Sequence, residues 1–88
     1  MKLRVHRLAV EEIDHEVDYY ESIYAGLGTE LEDEIEEVGA PWKHRTDRRV
    51  FVLSRFPFTL PYQIIGEQIV VLALAHMRRR PGYWLRRR

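Results

Sequence analysis

The sequence predicts an α+β fold: an N-terminal strand, an antiparallel helical hairpin, then a three-stranded antiparallel β-meander and a short basic C-terminal tail. Three observations predict it. Apolar residues recur at helical steps through residues 9–38 and at strand steps from residue 50 onward. Glycines and prolines fall between those stretches, where turns are needed. The acids stop where the strands begin: residues 1–47 hold 13 Asp+Glu and 5 Lys+Arg, while residues 48–88 hold 9 Arg and the single acid Glu67.

Residues 2–6 alternate, with Leu3 and Val5 on one side and Lys2, Arg4 and His6 on the other, which is a short half-buried strand. A first helix is expected over residues 9–25, because Ile13, Val17, Tyr20 and Tyr24 fall at steps of four, three and four and so share one face. Gly26-Leu27-Gly28 stops it, since glycine accepts the left-handed conformation that closes a helix. Thr29 followed by Glu32 matches a capping box and places the start of a second helix there. Its apolar stripe is Leu31, Ile35 and Val38, and Gly39 and Pro41 end it. So short a link makes the two helices an antiparallel hairpin. The surrounding acids, Glu34 among them, read as solvated surface, because no Asp/Asn/Gly loop spacing supports a cation site.

Trp42 to Asp47 reads as a polar loop. Alternation resumes with Phe51 and Leu53 against Val50, Val52 and Ser54. Phe56-Pro57-Phe58 links to the next strand, whose face is Phe58, Leu60, Tyr62 and Ile64. Pro61 inside it cannot donate a ladder bond, so it marks an edge, a bulge or an outward position. Gly66-Glu67 is a two-residue hairpin turn of the Gly-X type. Residues 68–75 are apolar at nearly every position, which places that strand centrally with both faces buried. Arg86-Arg87-Arg88 reads as a mobile basic tail.

The 88 residues make one domain, 1–88, with 45% apolar and 32% charged residues and a net charge of zero. The absence of cysteine excludes a disulfide framework and a thiolate metal site, and no metal or other cofactor is expected. No apolar run has the length of a membrane span and no signal-peptide core opens the chain, so the expected placement is the cytoplasm, away from membranes. The zero net charge hides a balance of −8 in residues 1–47 and +8 in residues 48–88. Such a split fits an anionic partner for the second half, nucleic acid or an acidic protein segment. The plainer reading is that the halves neutralise each other where they pack.

Candidates for chemistry lie in the second half. Arg49, Arg55, Arg78, Arg79 and Arg80, with Tyr83 and Trp84, combine guanidinium groups with aromatic planes. Phosphates with stacked bases suit that set, and so does an acidic peptide. His76, directly after the central strand, is placed either as a general acid or base or as a structural hydrogen-bonding residue. Tyr83 and Trp84 read equally as lids on the core. No hydrolytic triad, phosphate-binding glycine loop or His/Cys cluster is present. The enzyme option left is metal-free RNA cleavage, which needs a base for the 2′-hydroxyl, cations for the phosphorane and an acid for the leaving oxygen.

The chain resembles the RelE/ParE toxin superfamily of type II toxin–antitoxin modules, on its ParE-like side. The resemblance rests on Tyr19-Tyr20, Gly26-Leu27-Gly28, Pro41, Arg49, Arg55-Phe56-Pro57-Phe58, Tyr62, Val71-Leu72-Ala73 and the ending His76-x-x-Arg79-x-Pro81-x-Tyr83-Trp84. It implies growth inhibition held in check by a cognate antitoxin whose C-terminal segment wraps the toxin. ParE-like members poison DNA gyrase and are not enzymes; RelE-like members cut mRNA in the ribosome. For the first, the expected antitoxin-binding residues are Ile35, Val38, Trp42, Arg49, Arg55 and Arg79, with Tyr20 and Tyr24 as further exposed-apolar candidates or, more simply, core. For the second, Arg55, His76, Arg79 and Tyr83 are the candidate catalytic groups. A third outcome is an inactive module member that only binds antitoxin. Lys2 and Lys43 are the only lysines, so the lysine-rich middle of the nucleases is missing. Phe58 stands where the family's Phe-Pro-Tyr link usually has tyrosine, and Pro61 interrupts a strand that normally pairs without one.

Overall fold

The computed structural model describes residues 2–38 and 50–87. In chain order the elements are β1 (Lys2–Val5), α1 (Arg7–Ile23), α2 (Leu27–Val38), β2 (Val50–Val52), β3 (Phe58–Ile65), β4 (Gln68–Val71) and β5 (Ala75–His76). The sheet order is β1-β4-β3-β2, with β5 also on β3. β1 runs parallel to β4 and every other pair is antiparallel. Strand, helical hairpin and meander therefore stand as the sequence predicts. The expected loop at Trp42–Asp47 and the stop at Gly39 and Pro41 lie outside the described residues.

Both helices begin two residues earlier than periodicity places them, each for a local reason. His6 N–H extends the β1–β4 ladder to the Val71 carbonyl (2.8 Å), and its own carbonyl accepts the first helical bond, from Val10 N–H (3.0 Å). Its ring Nδ1 accepts from Leu8 N–H at 3.1 Å, so a histidine caps α1 directly after the strand. The capping box at Thr29 and Glu32 does not form, because α2 already starts at Leu27. Glu21 of α1 caps it instead, accepting from Gly26 N–H (2.8 Å) and Gly28 N–H (3.0 Å). That places a carboxylate at the positive end of the α2 dipole. α1 ends at Ile23, and Tyr24 turns into extended backbone (φ −154°, ψ 126°). Tyr24 thus leaves the face it was expected to share and is 73% exposed.

The close approach of the helices depends on Gly28. A Cβ there would stand 2.6 Å from the Val17 carbonyl oxygen and 2.9 Å from Glu21 Oε1. Gly28→Ala is expected to lose about 1–3 kcal/mol, the usual range for overpacking, read as a lowered urea midpoint with unchanged m-value. An unchanged midpoint would show that the hairpin spreads freely at this crossing.

Ala9, Ile13, Val17 and Tyr20 of α1 and Leu31 and Ile35 of α2 pack on Phe51, Phe58, Leu60, Tyr62 and Ile69 of the sheet. Tyr20 meets Phe56 and Phe58 edge-on, at 5.1 and 6.1 Å between ring centroids. Leu3, expected to be half-buried beside Val5, lies in the edge strand and stays exposed. Gly66 opens the β3–β4 turn at φ +60° while Glu67 keeps a negative φ, the pattern of a II′ hairpin.

The strand that runs through β4 and β5 is interrupted once. On β3, two residues separate the Thr59 and Tyr62 pairings; opposite them, three residues (72–74) separate Ala75 and Val71. One extra residue makes a β-bulge. Pro61 sits beside it, fully buried in the central strand β3, so the bulge is the role that applies among those its sequence position allowed. Leu72 N–H donates to the Pro61 carbonyl at 2.8 Å. An antiparallel pair of this kind normally exchanges two bonds, and proline has no N–H to return. The Leu72 carbonyl therefore needs another donor.

Candidate functional site

That donor is Arg87. Its Nη1 donates to the Leu72 carbonyl at 2.9 Å and to Glu12 Oε1 at 2.8 Å, and its Nη2 donates to Glu12 Oε2 at 3.0 Å. Glu12 also accepts from Leu74 N–H (3.2 Å) and from the Tyr83 hydroxyl (3.0 Å), and Arg79 Nη1 lies 3.7 Å from Oε2. One carboxylate on α1 thus gathers the bulge and three side chains of the C-terminal segment. The Arg87 side chain is only 13% exposed, which corrects the expected mobile tail for this residue.

Around this hub, Leu8, Glu11, His15, His76 and Arg79 help line a cleft of about 420 Å³ between α1 and the sheet end. Of the four candidate catalytic residues, the structure brings His76, Arg79 and Tyr83 to this end of the molecule. Their groups are already engaged. His76 Nδ1 accepts from Arg78 N–H at 3.0 Å, and its ring stands edge-on to Phe58 at 5.3 Å, the structural role weighed for it above. The Arg79 guanidinium lies 3.9 Å over the Tyr83 ring, and that of Arg87 lies 5.0 Å from it. Burial first, then the charge of Glu12 and the bond to it, push the Tyr83 hydroxyl up to about 12.

Arg55, the fourth, does not line the cleft. It lies in the β2–β3 connection and is committed to α2. Glu34, only 4% exposed, accepts from Arg55 N–H (3.0 Å), from the Ser54 hydroxyl (2.8 Å) and from Arg55 Nε (3.5 Å). The expected solvated role of Glu34 is thereby corrected. Burial pushes its carboxyl up, but the Ser54 and Arg55 hydrogen bonds together outweigh burial and hold it below the usual carboxylate range.

Of the residues expected to bind an antitoxin, Ile35 is half-buried against the core, while Arg55 and Arg79 keep exposed guanidinium edges on opposite partners, Glu34 and Glu12. Val38 ends α2, and Trp42 and Arg49 lie outside the described residues. Tyr20 is core and Tyr24 surface. The charge split is settled partly inward: Arg55, Arg79 and Arg87 meet acids of the helices, whereas exposed Arg78, Arg80 and Arg86 have no ion pair among the described residues. Glu12, Glu34 and Arg87 are the residues that sequence reasoning missed. No group of His, Asp or Glu among the described residues could hold a metal ion, and no described helix is long and apolar enough to cross a membrane.

A two-helix hairpin laid on an antiparallel meander, with the N-terminal strand joined in parallel to β4, defines the class of the fold. No protein-family model matches the sequence, and no curated protein matches it. Among solved structures, a chain of the chromosomal ParDE TA system from P. aeruginosa aligns with a TM-score of 0.69. The alignment covers 86% of this chain and 95% of that chain at 19% sequence identity, a likeness of fold.

Proposed function

We propose that the chain is the toxin of a type II toxin–antitoxin pair, that it acts on DNA gyrase without being an enzyme, and that a cognate antitoxin neutralises it. The observation that carries this reading is the fold itself, shared with a chain of a ParDE TA system over 86% of the present one. The Arg55-Phe56-Pro57-Phe58 link and the His76 to Trp84 ending add the residues of the family resemblance to that fold. An acidic antitoxin segment has two guanidinium edges to engage, Arg55 above α2 and Arg79 beside the cleft.

The ribosomal nuclease reading has less support. It asks Tyr83 or His76 to move a proton, and efficient proton transfer favours a group titrating near the working pH. A hydroxyl pushed up to about 12 and bonded to Glu12 is poorly suited to that work. Arg55 is also held away from the other three by Glu34.

The test is gyrase supercoiling of relaxed plasmid with the purified chain, run beside the chain premixed with its antitoxin. Inhibition with gyrase-dependent DNA cleavage, both abolished by the antitoxin, is expected. A chain that arrests growth yet leaves gyrase untouched would overturn the target and send attention to the ribosome. Tyr83→Phe is expected to leave toxicity intact, since the reading requires no proton from that hydroxyl.

A further inference from the structure

Among the described residues of the C-terminal half, Arg55, Arg79 and Arg87 pair with acids, while Arg78, Arg80 and Arg86 do not. Arg80 and Arg86 face a hollow of about 430 Å³ whose remaining lining is Pro81, Gly82, Tyr83 and Leu85. Gly82, at φ +85°, bends the chain there, and Leu85 N–H closes the turn on the Gly82 carbonyl at 3.1 Å. No acid lines the hollow, and neither guanidinium has an ion pair or side-chain hydrogen bond among the described residues. Exposed Arg78 adds a third free cation two residues before Arg80.

We infer that this hollow is a phosphodiester site, with Arg80 and Arg86 contacting the backbone of a nucleic-acid duplex. Two free guanidinium groups at one hollow, without a carboxylate between them, favour the partner with the densest regular negative charge. Single strands are favoured less, because binding them draws on stacking platforms. The Tyr83 ring already carries the Arg79 guanidinium at 3.9 Å, and Trp84 is half-buried against Tyr83 at 5.2 Å. An amphipathic acidic peptide is also favoured less, since it needs an apolar groove, and the exposed apolar side chains lining this hollow are Pro81 and Leu85 alone. The site lies beside the Glu12 hub, whose arginines are Arg87 and Arg79, and shares Tyr83 with it; it goes beyond the gyrase reading without depending on it.

The test is fluorescence anisotropy of a short labelled DNA duplex of random sequence with the full chain, across a salt series and without gyrase. Binding that weakens with salt is expected. The Arg80→Ala/Arg86→Ala variant should bind more weakly, on the order of tenfold for each lost charge-assisted contact. Its log K against log salt slope should be shallower by about 1.8, at roughly 0.9 for each phosphate contact. Arg4→Ala, removing an exposed arginine on β1, should change neither quantity. Equal affinity in the double variant, or an equal loss in Arg4→Ala, overturns the site. Tighter binding of the matching single strand overturns it as well. So does competition by polyglutamate or by inorganic phosphate, at matched ionic strength, as effective as that by unlabelled duplex.

Discussion

Replacing Glu12 with alanine is expected to lower stability by about 3–5 kcal/mol, the usual consequence of removing one member of a buried charge pair. Arg87, with 13% of its side chain exposed, loses both bonds of its fork, and the Leu74 N–H loses the acceptor it has among the described residues. For a domain of this size each kcal/mol is worth roughly 4–8 °C in Tm, so the loss is large on any thermal scan. Arg87→Ala should cost less. It takes two bonds from Glu12 and frees the Leu72 carbonyl, but leaves the carboxylate bonded to Leu74 N–H and the Tyr83 hydroxyl with the Arg79 guanidinium 3.7 Å away. The double variant should cost less than the two singles together, because each single already breaks the shared pair. If Arg87→Ala proved the more damaging single change, the hub would be the guanidinium and not the carboxylate, and the bulge would not depend on α1.

The order of elements was legible because it is written in periodicity and punctuation. Ile13, Val17 and Tyr20 repeat at helical steps, Phe58, Leu60 and Tyr62 at strand steps, and Gly66-Glu67 is a turn whatever surrounds it. Element starts were less legible, because each cap comes from a residue that also belongs to the element before it. Glu21 reaches back from α1 to α2, and His6 belongs to strand and helix at once. The site was the least legible part. Glu12 and Glu34 each stand three residues after a fully buried position, Ala9 and Leu31, and so on the inner side of their helices. Among so many exposed acids that spacing was the available signal, and what makes it decisive is the partner far along the chain: Leu74, Tyr83 and Arg87 for Glu12, Ser54 and Arg55 for Glu34. Pro61 carries a related lesson. Its missing N–H was readable from sequence, but not that Arg87 would answer it from the other end of the molecule.

Glu34→Ala is expected to cost about 2–6 kcal/mol, because two donors are left without their acceptor at about 1–3 kcal/mol each. The Ser54 hydroxyl and Arg55 N–H both belong to the β2–β3 connection, so that connection should loosen and Arg55 should lose its fixed presentation. If Arg55 engages the antitoxin, affinity for the antitoxin should fall with it, even though Glu34 is too buried to touch a partner. The same carboxylate sets an acid limb. Its folded-state pKa lies below the ordinary value of 4.5, so in that window the unfolded chain binds the extra proton and stability rises with pH. The contribution of Glu34 is fully present above 4.5 and is lost as the pH falls through the lower, folded value. Urea midpoints measured down a pH series should therefore fall more steeply in the parent chain than in Glu34→Gln, which keeps a carbonyl acceptor but has no proton to take up. Exposed Glu32→Gln should track the parent chain. Identical acid limbs in the parent chain and Glu34→Gln would show that Glu34 holds the connection as a hydrogen-bond acceptor alone, with its charge playing no part.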